Sequence, residues 1–150
     1  MNNYNLGFSL KGFLAFMLVM IPNVIWMIVP PSNNPIAANS AMYPLFDIIT
    51  GISKAMMITL LIILIPKKNR HGKGKKIYIK FALFCLVIYY VMWILYYAGI
   101  INPWMLVGMA VFPSAYFIFV ELWLNNYIAI TPSAFFGIAH IAITFSNFVQ

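Results

Sequence analysis

Five stretches of the chain are almost unbroken runs of apolar residues, and each is bounded by Pro, Asn, Gly or Lys rather than interleaved with polar positions. About 20 helical residues, each rising about 1.5 Å, cross a hydrocarbon core of about 30 Å. The pattern therefore predicts helices over about 12–30, 45–65, 77–100, 104–124 and 128–149. The expected fold class is all-α, a polytopic transmembrane helical bundle of five helices in one integral membrane domain spanning 1–150. A four-helix alternative lays 128–150 on the lipid surface, although the length of that run and its lack of charge favour a span.

The punctuation between the runs is informative. Pro30 and Pro31 close the first helix, and Pro35 and Pro44 with Asn33, Asn34 and Asn39 make an uncharged loop. Small residues at Ala37, Ala38, Ser40 and Ala41 raise the rival reading of a cleaved signal peptide, but the first run exceeds the usual apolar length of such signals. Pro66 is expected to stop the second helix, and Asn102-Pro103 and Asn125-Asn126 to turn the chain between later ones. Pro22 and Pro113 fall near helix centres, where a kink or an unwound turn is expected.

Charge adds an orientation. Seven of the nine Lys and Arg residues lie between Lys67 and Lys80. Lys67, Lys68, Arg70, Lys73, Lys75 and Lys76 fall in a Gly-containing segment, 66–76, which reads as a basic cytoplasmic loop by the positive-inside rule. The N-terminus is then cytoplasmic, the C-terminus extracellular, and the 31–44 loop outside. These six basic residues are also candidates for contact with anionic lipid headgroups. Lys80, just inside the third helix, can snorkel to the same interface. Trp93, Tyr96, Tyr97 and Trp104 are expected to form an aromatic belt at the opposite one.

Composition agrees with the pattern. With 64% hydrophobic and 7% charged residues, and a mean hydropathy of +0.93, the chain has too little polar surface to cover a soluble globule. The formal charge of +7 reflects one loop beside a membrane, so nucleic acid is not an expected partner. The lone Cys85 has no intrachain disulfide partner and reads as a packing residue.

Candidate chemistry is confined to polar groups inside the apolar runs, where ionisable residues are costly and rare. Asp47, Thr50, Gly51 and Lys54 share one face of the second helix. Lys54 then lies roughly 13 Å below the outer end of its helix, His140 at a similar depth, and Asn23 about 10 Å deep on the same side. Asn23, Asp47, Thr50, Lys54 and His140 can thus line a cavity open to the outside, binding an anionic or zwitterionic group or relaying protons. The opposing reading has Lys54 snorkelling, or the polar stripe cementing the bundle. Glu121 is expected at the inner boundary, facing the interface or answering Lys80 and the basic loop. A metal or haem site is not expected, since His140 and the loop residue His71 fall on different levels.

The closing stretch from Leu122 through Asn125, Asn126, Pro132, Gly137 and His140 to Thr144, together with Pro22-Asn23 and Pro30-Pro31, resembles small uncharacterised multi-pass membrane proteins of Gram-positive bacteria. The resemblance implies a bacterial plasma membrane and carries no activity or cofactor. Paired carboxylates on one side and an evident nucleophile are lacking, so an enzyme is not expected and no cofactor is called for. The leading expectation is an accessory or structural protein, of immunity type among the options, acting through helix partners. The alternative is a small transporter or channel-like protein, working as a homo-oligomer, with its polar cavity around Lys54 and His140.

Overall fold

A computed structural model describes residues 4–67 and 73–149. Among them five helices are long and apolar enough to cross a membrane: α1 (Leu10–Ile28), α2 (Pro44–Ile63), α3 (Lys73–Tyr97), α4 (Pro103–Leu124) and α5 (Tyr127–Phe148). This is a polytopic, all-α membrane bundle. The last helix packs along both α2 and α4, which rules out the four-helix alternative of a surface-lying C-terminal segment. Large apolar residues such as Leu14, Ile48, Val87 and Ile138 point outward, as a lipid-facing exterior requires.

α4 is the centre of the bundle. More than half of its most apolar window is buried, the largest share of any helix, and it packs extensively on α3 and α5. Small residues bring these backbones together. A Cβ on Gly137 would lie 3.0 Å from the Ser114 Cβ, and one on Gly108 would meet the Met92 side chain. α3 contributes Ala82, Cys85, Leu86, Tyr89, Trp93 and Tyr96, one helical stripe, to the core. Cys85 is buried and unpaired, in agreement with its packing role.

The basic end departs from the expected boundaries. Ser9 caps α1, its Oγ accepting from the Gly12 amide at 3.1 Å, so the helix begins earlier than position 12. α2 stops at Ile63, before Pro66, because Leu64–Pro66 (β2) pairs antiparallel with Tyr4–Leu6 (β1), placing Tyr4 opposite Pro66. The pairing continues into two further backbone bonds, Gly7 to Ile63 and Ser9 to Ile62. A three-residue strand is too short to leave a periodicity that sequence could reveal. α3 begins at Lys73, so Lys73, Lys75 and Lys76 belong to a helical first turn instead of a loop. Lys68 and Arg70 lie outside the described residues, and Lys67 is exposed directly after β2.

α1 and α4 run continuously through Pro22 and Pro113, so neither helix is unwound there. Pro22 has no amide hydrogen to give to the Leu18 carbonyl, one turn earlier. Tyr90 of α3 donates its hydroxyl to that carbonyl instead. A neighbouring helix thereby repairs the defect, which is how a bilayer tolerates intrahelical Pro.

Candidate functional site

α1 is held to the bundle differently from the other helices. Its tightest approach is to α2, where Gly12 meets the Leu61 backbone, and it also packs on α4 and, more lightly, on α3, with long side chains bridging to both. Tyr116 donates to the Ala15 carbonyl at 3.0 Å, Tyr97 to the Val29 carbonyl at 3.0 Å, and Asn23 Nδ2 donates to the Tyr89 hydroxyl at 2.8 Å. These side chains tie α1 to α3 and α4, and the bundle holds a cavity of about 510 Å³.

All five helices line this cavity, and all five of the sequence-predicted polar residues, Asn23, Asp47, Thr50, Lys54 and His140, are on its wall. The lining of α2 runs from Asp47 to Ile58, a depth of roughly 16 Å. It begins at the end of the bundle carrying the 29–43 connection, opposite the basic segment. Most of the remaining wall is aromatic or Met, including Phe16, Trp26, Trp93, Phe117, Phe136 and Met109.

The polar groups differ in how they are engaged. Thr50 is buried and returns its hydroxyl to the Phe46 carbonyl at 2.6 Å. Asn23 also donates to the Val19 carbonyl at 2.8 Å. Asp47 sits in the first turn of α2 and accepts from the Ala41 amide with both oxygens, at 3.0 and 3.1 Å, so it fixes the incoming loop. His140 stacks on Phe136 with ring centres 5.3 Å apart and lies within electrostatic range of Lys54. Lys54 is exposed to the space it faces and forms no hydrogen bond or ion pair among the described residues. Of the stripe's polar groups, Lys54 alone is left without a hydrogen bond or ion pair among the described residues.

A strap covers the end of the cavity. Pro35–Ala38 form a short 3-10 turn, and Ile36 and Asn39 reach the cavity wall. Asn34 Oδ1 accepts from Trp26 Nε1 and the Tyr96 hydroxyl, both at 2.8 Å. Asn39 donates to Thr144 at 2.9 Å, and Asn147 donates to Asn39 Oδ1 and the Ser40 carbonyl at 2.8 Å. Three helices thus pin one loop. This corrects the expected aromatic belt: Trp93 and Tyr96 are 5% and 0% exposed and belong to the core, while Tyr97 and Trp104 remain at the surface. Tyr96 turns inward because its hydroxyl has a partner in the strap.

Glu121 is also corrected. It is 0% exposed and faces neither the interface nor Lys80; its Oε1 is hydrogen-bonded to Ser133 of α5, and Oε2 has no partner. The pair lies one turn beyond Phe117 and Phe136, beneath the cavity. Asn125 adopts φ 58°, and its amide and that of Asn126 close onto Leu122 and Glu121, so a tight turn folds α5 back along α4 and brings Ser133 to Glu121. The two residues lie at unequal distances from that turn, so counting along the sequence does not pick Ser133 out. Asn126, equally unanticipated, is buried and donates to the Leu60 and Leu64 carbonyls at the end of α2. At the same end Lys11 lies 5.6 Å from the Trp123 ring centre.

The fold and this cavity define a class, a polytopic helical membrane protein with a polar-walled space inside its bundle. Compared with known proteins, the chain matches no family model, no curated protein and no solved structure.

Proposed function

We propose that this protein is a non-catalytic, small-molecule-binding membrane protein of the transporter type, seated in a bacterial plasma membrane with the cavity facing outward. One observation carries the reading: the five polar residues scattered over α1, α2 and α5 converge on a single cavity of about 510 Å³, within the size range of ligand pockets. The basic segment, at the opposite end, supports the orientation through the positive-inside rule. The accessory reading has no comparable geometric feature behind it among the described residues.

Cysteine accessibility tests the proposal. Gly51 lines the cavity and a Cβ there meets nothing within 4 Å, so Gly51→Cys is sterically free; Ile52, one position on, is 56% exposed and absent from the lining. In a Cys85→Ser background, a membrane-impermeant maleimide added to intact cells should label Gly51→Cys and spare Ile52→Cys. Labelling of Gly51→Cys only in inverted vesicles reverses the orientation. Resistance from both sides rejects a water-accessible cavity.

A further inference from the structure

We propose that the cavity receives a singly anionic amphiphile, with its acid group on the Lys54 ammonium and its apolar body against the aromatic wall. The inference rests on the cavity reading above and adds the chemical class of the ligand.

The argument begins with the charge inventory. The whole chain contains two acidic residues, and both are engaged elsewhere. Asp47 is committed to the Ala41 amide, two helical turns from Lys54, roughly 10 Å along the axis. Glu121 is sealed beneath the cavity with Ser133. An ammonium with three donors and no counter-charge, exposed within a cavity, is open to an anionic partner. An anion supplied by the ligand fills that place.

Position and shape narrow the class. The cavity wall carries one cation, and the only Arg of the chain is Arg70, in the basic segment, so there is no bidentate fork for a phosphate or another multiply charged group. An α-amino acid requires a counter-charge for its ammonium close to the site of its carboxylate; the only acid on the cavity wall, Asp47, is already committed to the Ala41 amide and roughly 10 Å away along the helix. His140, across from Lys54 on α5, offers a ring nitrogen to a second acid oxygen. Phe16, Trp26, Tyr89, Trp93, Phe117 and Phe136 offer an apolar body extensive contact. A monocarboxylate with a hydrocarbon or aromatic body satisfies each of these features.

The test uses decanoate, decanol and decylammonium as probes of one length and three head-group charges. The intact protein, in nanodiscs of zwitterionic lipid, is titrated and its thermal midpoint followed. Decanoate should raise the midpoint most and decylammonium least. Lys54→Met should weaken decanoate binding by roughly ten- to a hundredfold, as expected for loss of a charge-assisted hydrogen bond, while Lys54→Arg retains most of it. Quenching of the native tryptophans by brominated decanoate and brominated decanol needs no variant and should favour the acid. If acid and alcohol are equivalent in both measurements, yet Gly51→Trp abolishes both, the anion assignment is overturned and the cavity reading stands. If Gly51→Trp leaves every probe response unchanged, the cavity reading itself fails.

Discussion

Replacing Gly12 with Ala asks how tightly the closed end of the bundle is built. A Cβ at Gly12 would lie 2.2 Å from the Leu61 carbonyl oxygen and 3.0 Å from its carbonyl carbon, where ordinary contact begins at 3.4 Å. The obstruction is backbone, so no rotamer change relieves it, and α1 and α2 must separate by more than an ångström. The contact lies beside the Ser9–Ile62 bond and next to buried Leu61, so separation strains that bond and loosens core packing together. Overpacking of this kind typically costs about 1–3 kcal/mol, against a gain of up to about 1 kcal/mol from replacing a helical Gly. With the full gain subtracted, the expected net is destabilisation by up to about 2 kcal/mol. Gly51→Ala is the internal control, because the same exchange in α2 meets nothing within 4 Å and keeps only the helical gain. Thermal unfolding of the purified proteins in one detergent, followed by circular dichroism, should place Gly12→Ala below wild type and Gly51→Ala at or above it. Equal shifts in the same direction would refute the close α1–α2 approach.

Two further substitutions probe the polar repairs inside the bundle. Glu121→Gln retains the shape and a hydrogen-bonding partner for Ser133, whereas Glu121→Ala removes both and opens a void; the expected cost is small for Gln and about 2–4 kcal/mol for Ala, measured by denaturant titration in mixed micelles. Similar losses in the two variants would mean that Glu121 acts through its charge. Tyr90→Phe should cost about 1 kcal/mol by stranding the Leu18 carbonyl, and the cost should vanish in a Pro22→Ala background, where the restored amide serves that carbonyl; a double-mutant cycle without coupling contradicts the repair.

Spans and their number were legible because insertion into lipid is governed by local apolar length, and α2, α4 and α5 lie within a residue or two of the expected limits. The shared face of Asp47, Thr50 and Lys54 follows from helical periodicity alone. Depth counting placed His140 and Asn23 at the same level, and the cavity wall contains them both. What depth cannot supply is azimuth, the direction in which each helix turns its stripe. Tyr96 illustrates this: its level is that of an interfacial anchor, and its rotation makes it a core residue bonded to Asn34. Glu121 is a second case, since a carboxyl near a helix end is drawn inward only because α5 folds back with Ser133 opposite it.

By itself, then, the sequence determined a polytopic bundle, the identity of its intramembrane polar groups and the concentration of positive charge at one end, because each depends on hydrophobicity and spacing along a single helix. The tertiary structure decided that those polar groups meet around one space, that tyrosine and asparagine side chains tie α1 to its neighbours beside it, and that Lys54 has no ion-pair partner among the described residues. These are relations between helices. They depend on Gly12, where a neighbouring backbone comes close, on Gly108 and Gly137, where side chains of adjoining helices occupy the space of a Cβ, and on Tyr89, Tyr97 and Tyr116, which bond α1 to α3 and α4.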